Sequence, residues 1–212
     1  MDQVLLGIDC GTSVVKSVIF DLQGNEIAIA RRETPIITRI LGTSEVDMLR
    51  LWELTAETIA EAVAAIGDRP IAGIGLCGTA CGVWPIDADG NPTRNAILWN
   101  DGQAAPIIAR WQTDGFIDHV WDVSANAMFP GYPLVALRWL HEHEPEVMAR
   151  TRWLPFHKDW LRFQLTGELY SDESDVAYFP GDIRGRGYSD SLMIEAGLES
   201  CIEKRLPVAR SH

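Results

Sequence analysis

The sequence predicts an α/β fold, and a few patterns along the chain indicate it. Short apolar runs separated by tight-turn residues dominate the chain up to Arg32. An amphipathic segment follows, in which Met48, Leu51 and Ile59 recur at helical spacing. Beyond Asp101 the pattern is mainly helical, with short apolar runs between the helices. Because no linker divides the chain, we predict one α/β domain that carries a helical part.

The predicted strands cover residues 4–9, 14–22, 26–32, 71–77 and 96–99. The predicted helices cover residues 47–66, 103–111, 133–143, 159–165 and 190–196. Tight turns at 11–13 and 23–25 favour an antiparallel meander of the first strands. We expect Ser44 or Asp47 to cap the first helix. We also expect strand 71–77 to be buried and residues 83–92 to form a hairpin.

Composition excludes several classes of protein. Apolar residues make up 47% of the chain, charged residues 23%, and the formal net charge is -12. A nucleic-acid partner is not expected, because a phosphate backbone is bound by surplus lysine and arginine. Since no apolar run reaches the ~18 residues of a membrane helix, and no basic leader precedes the apolar run 4–8, neither membrane insertion nor a signal peptide is predicted. The four cysteines lack zinc-ligand spacing, and we predict a cytoplasmic protein with reduced thiols.

Residues 9–13, together with Lys16, form the first candidate functional segment. Gly11 lets the backbone approach a bulky anion, and N–H groups and hydroxyls at Thr12 and Ser13 suit phosphate oxygens. Asp9 ends a strand predicted to be buried, where a carboxylate without a cation is costly, and Mg²⁺ is its natural partner. The alternative is an ordinary hairpin in which Asp9 and Thr12 bond local backbone groups. The residues alone leave both interpretations open.

Several blocks, in the same order along the chain, resemble the FGGY carbohydrate kinases, the family of glycerol kinase, xylulokinase and ribulokinase. The opening block 8–13 with Lys16 is similar to the first hairpin of that family. The other similar blocks are residues 45–47, 74–82, 95–101, 157–161, 165–167 and 171–175. Within the family, run 138–146 resembles L-xylulose kinases, the opening hairpin resembles erythritol kinases, and xylulokinase-like members are also similar. A pentulose or a tetritol is therefore the favoured substrate.

The resemblance implies an actin-like ATPase (ribonuclease H-like) fold with a mixed sheet. The chain, 1–212, would be the N-terminal half of a two-domain sugar kinase, with a mostly helical part at about 103–170 and without the C-terminal nucleotide domain. The resemblance also assigns Asp9 to Mg²⁺. The residues that it places at the phosphates of ATP are Gly11, Thr12, Ser13 and Lys16.

The sugar pocket, by the same resemblance, would be formed by two short blocks. Ala80, Cys81 and Gly82 lie where relatives hold the sugar with a polar pair, and these small residues leave space but offer few hydrogen bonds. Trp99 and Asp101 would supply an indole face and a carboxylate. The alternative is a core tryptophan followed by a helix cap. For Asp159 and Asp175, by contrast, caps or surface charges are the favoured interpretation.

The implied reaction is transfer of the γ-phosphoryl group of ATP to a sugar hydroxyl, with a carboxylate accepting the hydroxyl proton. That aspartate is expected beyond His212, so no catalytic residue is predicted in this chain and little activity is expected from it alone. One alternative is a non-catalytic sugar-binding or regulatory half-domain. Another is an actin-like ATPase or acetate-type kinase, which the blocks at Trp99 and Lys158 disfavour. The expected ligands are ATP, Mg²⁺ and a small sugar or polyol, and a homodimer is compatible with the resemblance.

Overall fold

The structure, a computed structural model, describes residues 2–40 and 42–209. The chain divides into two compact units. Unit 1 contains the chain up to Ile36 and the segment Val46–Thr79, and unit 2 contains Ile37–Glu45 and the chain from Ala80 onward. The extent of the predicted domain, 1–212, stays a prediction.

Unit 1 is built on a four-stranded mixed sheet and one long helix. Its elements are β1 (Val4–Cys10), β2 (Val14–Asp21), β3 (Glu26–Glu33), β4 (Ile36–Ile37), β5 (Glu45–Val46), α1 (Met48–Ala64) and β6 (Ile71–Gly78). Of these, the short strands β4 and β5 fall at sequence boundaries between the two units. The sheet has the order β3-β2-β1-β6, in which β1 pairs antiparallel with β2 and parallel with β6. The predicted antiparallel meander of β1, β2 and β3 is therefore confirmed.

Helix α1 forms because apolar residues recur on one face and Asp47 caps its start. Met48, Leu51 and Leu54 are buried on that face. The Asp47 carboxylate accepts a hydrogen bond from the Arg50 N–H at 3.1 Å, as predicted. The helix packs against β2 and β3, where the hydroxyls of Ser17 and Thr58 lie 2.9 Å apart. This packing fixes the sheet that carries the opening hairpin.

Strand β6 lies at an edge of this sheet, and the prediction that it would be buried was wrong. Its Ile74 side chain is 55% exposed. Because α1 covers β2 and β3, an apolar run at this edge keeps its surface accessible. The sequence of an apolar strand does not indicate whether a neighbouring element covers it.

Unit 2 is mostly helical, and its core surrounds one apolar helix. Its elements are β7 (Ala96–Ile97), α2 (Ala105–Thr113), α3 (Phe116–Ser124), α4 (Pro133–His143), α5 (Pro145–Arg150), α6 (His157–Thr166), β8 (Ser171–Asp172), α7 (Glu173–Val176), β9 (Gly181–Asp182), β10 (Gly187–Tyr188), α8 (Asp190–Glu195), a 3₁₀ helix at Glu199–Lys204 and β11 (Val208–Ala209). On α4, whose bounds match the prediction, Leu134, Leu137 and Leu140 are fully buried. Helix α2 starts later than predicted, with a proline in its first turn.

One local prediction in unit 2 is met only in part. The hairpin expected at 83–92 reduces to isolated bridges, such as the antiparallel bridge of Ile86 and Pro92. Trp121 is 55% exposed on α3. Trp160, by contrast, is fully buried, and its indole N–H donates to the Gly90 carbonyl at 3.1 Å. None of the helices in the described parts of the chain has the length and apolar character required to cross a membrane.

Candidate functional site

The opening hairpin of unit 1 presents its turn amides on one side. Gly11 N–H donates to the Val14 carbonyl at 3.0 Å. Thr34 holds the other side, because its N–H donates to the Ser13 carbonyl and its hydroxyl donates to the Gly11 carbonyl, each at 2.9 Å. In a trans peptide the N–H points opposite to the preceding carbonyl. The Thr12 N–H therefore points away from Thr34, the orientation that anion binding by a turn requires.

Asp9 and Lys16 form an ion pair at the base of this turn. The two residues are partners in the β1–β2 ladder, and Lys16 Nζ lies 3.0 Å from Asp9 Oδ2. Their side chains are 49% and 40% exposed, respectively. The expectation that Asp9 would be buried was wrong, because the end of β1 leaves its side chain open, and Lys16 supplies a cation beside it. Both charges are accessible to a ligand.

The donor set at Asp9 suits Mg²⁺ that arrives with a nucleotide. Over residues 2–40 and 42–209, no group of three or more His, Cys, Asp or Glu side chains is arranged to hold a metal. Mg²⁺ commonly retains several waters and takes one or two carboxylates plus substrate phosphates. A single accessible carboxylate beside the turn at residues 11–13 meets that requirement, but it does not make a resident all-protein metal site.

Strand register adds a cation that the sequence motif did not reveal. Arg31 on β3 is the ladder partner of Lys16 on β2, and Lys16 is the partner of Asp9 on β1. Partners in a ladder project to the same face of a sheet. Arg31 is exposed, so Arg31 and Lys16 together give this face a positive field next to Asp9.

The predicted sugar block 80–82 is shaped by close backbone packing in unit 2. Gly82 has φ +75°, and a Cβ there would overlap the carbonyl oxygen of Ile97. Cys81 is 5% exposed and has φ 63°, a strained conformation for a non-glycine residue. Ala80 is exposed. Only Ala80 of this block presents its side chain openly, while Cys81 and Gly82 shape the backbone.

Trp99 and Asp101 have different environments although they lie close in sequence. Trp99 is 46% exposed, so the alternative of a core tryptophan does not hold. Asp101 is 2% exposed, and its two oxygens accept from the Ser44 N–H at 2.7 Å and the Gln103 N–H at 2.8 Å. Burial raises the pKa of Asp101, while these two N–H groups act in the opposite direction. Asp101 therefore holds the loop that contains Ser44, and Trp99 supplies the accessible surface.

A partly buried ionic cluster was missed by the sequence analysis. Lys158 contacts the carboxylates of Asp175 and Asp172, the latter at 2.9 Å, and lies 3.8 Å from Asp159.

The segment of Cys81 lies near the start of α6. The indole N–H of Trp84 donates to the Cys81 carbonyl at 3.3 Å, and the Trp84 ring stacks on His157. Burial raises the pKa of the Cys81 thiol to about 12, and the charge of Asp175 acts in the same direction. The blocks 80–82 and 157–161, far apart in sequence, therefore lie near each other within unit 2.

Asp159 behaves as the predicted helix cap rather than as a surface charge. It is fully buried, its Oδ2 accepts from the Phe156 N–H at 3.3 Å, and its Oδ1 lies 3.4 Å from Arg162. Burial raises its pKa to about 6, although the Lys158 and Arg162 cations oppose that rise. The carboxylate fixes the first turn of α6.

The mixed sheet, its opening hairpin and the order of the motifs are those expected for the N-terminal part of an actin-like ATPase fold. Residues 4–211 match the FGGY family of carbohydrate kinases, N-terminal domain. The chain belongs to this family, and the predicted family and fold class are confirmed.

Individual relatives agree with this assignment. The chain is 32% identical over 212 residues to the probable L-xylulose kinase of Haemophilus influenzae, which covers 98% of this chain and 43% of that protein. It is 35% identical over 175 residues to the xylulose kinase of Bacillus subtilis, a match of 82% of this chain and 35% of that protein. The chain thus spans about two fifths of the length of these relatives.

Solved structures show the same fold. A xyloylose kinase from Brucella ovis superposes with a TM-score of 0.89 at 31% identity, covering 98% of this chain and 42% of that one. The glycerol kinase of Plasmodium falciparum with ADP gives a TM-score of 0.88 at 17% identity, covering 98% of this chain and 43% of that one. At that identity the likeness establishes the fold alone.

Proposed function

We propose that this chain is the phosphate- and sugar-facing part of an ATP-dependent kinase for a pentulose or a tetritol. The observation that carries the proposal is the accessible Asp9–Lys16 ion pair beside the turn at residues 11–13. Two of the relatives are kinases named for xylulose and L-xylulose, which are pentuloses. The small block 80–82 and the accessible Trp99 indole suit a compact polyhydroxylated substrate.

Each group in unit 1 would have a distinct role toward the nucleotide. The turn amides and the hydroxyls of Thr12 and Ser13 would bind phosphate oxygens, and Lys16 would balance their charge. Asp9 would hold Mg²⁺ that arrives with the nucleotide, and the ion would supply charge neutralisation at the phosphates. Arg31 would attract the polyanion from the same face of the sheet.

Unit 2 would hold the sugar through Ala80 and Trp99. The indole face of Trp99 packs well against sugar C–H groups. Asp101 would act as a positioning residue, because its oxygens already hold backbone N–H groups of the Ser44 and Gln103 turns. The Lys158 cluster would keep the neighbouring Cys81 segment in place.

We assign no general base within this chain, and we expect no appreciable turnover by it alone. General-base catalysis contributes ~10²–10⁴ in rate. The test incubates the chain with Mg²⁺-ATP and a panel of D-xylulose, L-xylulose, erythritol and glycerol, and measures ADP release. Release at a rate ordinary for a kinase, on the order of 1 per second or more, would contradict the expected inactivity.

Binding is tested separately by titration calorimetry. We expect Mg²⁺-ADP to bind the parent chain and to bind Asp9→Ala at least tenfold more weakly. The Asp21→Ala variant is the matched control, since Asp21 lies at the opposite end of the same hairpin. Sugar binding without nucleotide binding would instead favour a non-catalytic sugar-binding half-domain, and equal affinity in the two variants would remove Asp9 from the site.

A further inference from the structure

Cys77 on β6 lies next to Asp9 on β1, and Lys16 on β2 lies next to Asp9 on the other flank of that strand. In the parallel ladder of β1 and β6, Asp9 and Cys77 are register partners. Neighbouring strands are about 4.8 Å apart, and partners project to the same face. Lys16, Asp9 and Cys77 therefore form one row across β2, β1 and β6, at the end of the sheet where the phosphate turn lies.

This end of the sheet is where two parallel strands finish together. Strand β1 ends at Cys10 and β6 ends at Gly78, and those two residues are also register partners. The N–H and the hydroxyl of Thr79 both donate to the Cys10 carbonyl at 3.1 Å, which fixes the two strand ends side by side. Ligands of open α/β sheets bind outside the carboxyl ends of such strands.

Cys77 differs from the other cysteines of the chain. Cys10, Cys81 and Cys201 are buried, whereas Cys77 is exposed. Burial raises the pKa of Cys10 to about 11, that of Cys81 to about 12 and that of Cys201 above its usual value, so these thiols are poor nucleophiles at neutral pH. Because Cys77 is exposed on an edge strand, its side chain does not contribute to core packing. It projects from the same face of the sheet as Asp9 and Lys16.

We propose that the Cys77 side chain lines the phosphate site and that a bound magnesium nucleotide covers it. The inference rests on the proposed function, since it extends the site of Asp9 and Lys16 by one residue on the third strand. It implies that bulk or negative charge at position 77 excludes the nucleotide by contact and by repulsion of the phosphates.

The direct test is alkylation of the chain with iodoacetamide at neutral pH, followed by peptide mass spectrometry. The Cys77 thiolate displaces iodide and forms a carbon–sulfur bond, and the thiol proton passes to the buffer. At a nucleotide concentration about ten times Kd, roughly one site in eleven is open, so the labelling rate should fall about tenfold. At the same nucleotide concentration, Asp9→Ala, which binds at least tenfold more weakly, should have half or more of its sites open, so that the protection falls to about twofold or less.

Calorimetry on the same samples distinguishes failure of the proposed function from failure of the inference about Cys77. If no nucleotide binds, the proposed function fails and the inference with it. If nucleotide binds but Cys77 is alkylated at an unchanged rate, the inference alone is overturned.

The Mg²⁺-ADP affinities of substituted chains give a second measurement, which needs no covalent labelling. Cys77→Glu should weaken Mg²⁺-ADP binding at least tenfold, while Cys77→Ser should retain it within about twofold. Ala72→Glu places the same charge at an exposed position near the start of β6, and its affinity should match that of the parent. Equal affinities for Cys77→Glu and Ala72→Glu would overturn the placement of Cys77 in the site.

Discussion

His157 should make the stability of unit 2 depend steeply on pH. Its ring is 1% exposed and stacks on Trp84, with ring centroids 4.1 Å apart and planes at 5°. Burial lowers the pKa of His157 from 6.5 to about 3. Between these values the unfolded chain binds a proton that the folded chain does not, so the free energy of unfolding falls as pH falls below 6.5.

The magnitude follows from that shift of pKa. Each pH unit below 6.5 costs about 1.4 kcal/mol, and the full loss, reached below pH 3, is about 5 kcal/mol. Between pH 7.5 and pH 5.5 the expected loss from His157 is about 1.4 kcal/mol. Asp159 acts in the opposite sense, because its raised pKa of about 6 makes the folded state hold its proton more tightly. The contribution of His157 must therefore be measured as a difference between two proteins.

The assay is urea unfolding of the parent and of His157→Phe at pH 7.5 and pH 5.5, followed by tryptophan fluorescence. The stability advantage of the parent over the variant should shrink by about 1.4 kcal/mol at the lower pH. His141→Gln, which removes a half-buried histidine on α4, is the control for loss of a histidine side chain that does not stack on Trp84. An advantage that stays constant between the two pH values would refute a buried, neutral His157. If His157→Phe does not fold, His157→Gln provides the same comparison.

Two further substitutions test packing and charge in the candidate site. Gly131→Ala should lower the free energy of unfolding by about 1–3 kcal/mol or more, because the new Cβ would overlap the Trp99 carbonyl. The control Gly75→Ala, with open space around the new Cβ, should lower it by less than about 1 kcal/mol. Equal losses in the two variants would contradict the close packing at Gly131. Lys158→Met should cost about 3–5 kcal/mol at pH 7.5 and less at pH 5, since it leaves buried carboxylates without their cation. Arg50→Met, which breaks an exposed pair on α1, should leave the free energy of unfolding nearly unchanged, and a similar loss in both variants would argue against a stabilising ionic cluster at Lys158.

Local signals predicted the elements that position the turn at residues 11–13. The Asp47 cap, the apolar face of α1 and the tight turn after β1 are each encoded within a few neighbouring residues. Even the Asp9–Lys16 pair follows from local register, because a short loop after β1 places those positions opposite each other. These parts of the fold needed no tertiary information.

The features that the sequence analysis did not predict depend mainly on contacts between distant segments. Helix α3 was not predicted, since its N-cap is Gly115 and no side chain bonds its first turn. The stacking of Trp84 on His157 depends on how the helices of unit 2 pack. The neighbourhood of Asp9 and Cys77 depends on a parallel register across α1. The family resemblance supplied the order of the motifs, whereas burial and pairing came only from the structure.

The edge of β6 governs how this polypeptide behaves at high concentration. Its eight residues, Ile71–Gly78, contain no charge and no proline, and among the described residues no strand pairs with its outer side. A row of unsatisfied main-chain groups on an apolar strand is a template for strands of other molecules. Self-association should therefore limit solubility, and Ile74→Lys should raise the concentration at which light scattering first appears. The open edge of the apolar strand β6, rather than the net charge of -12, then determines how readily the protein self-associates.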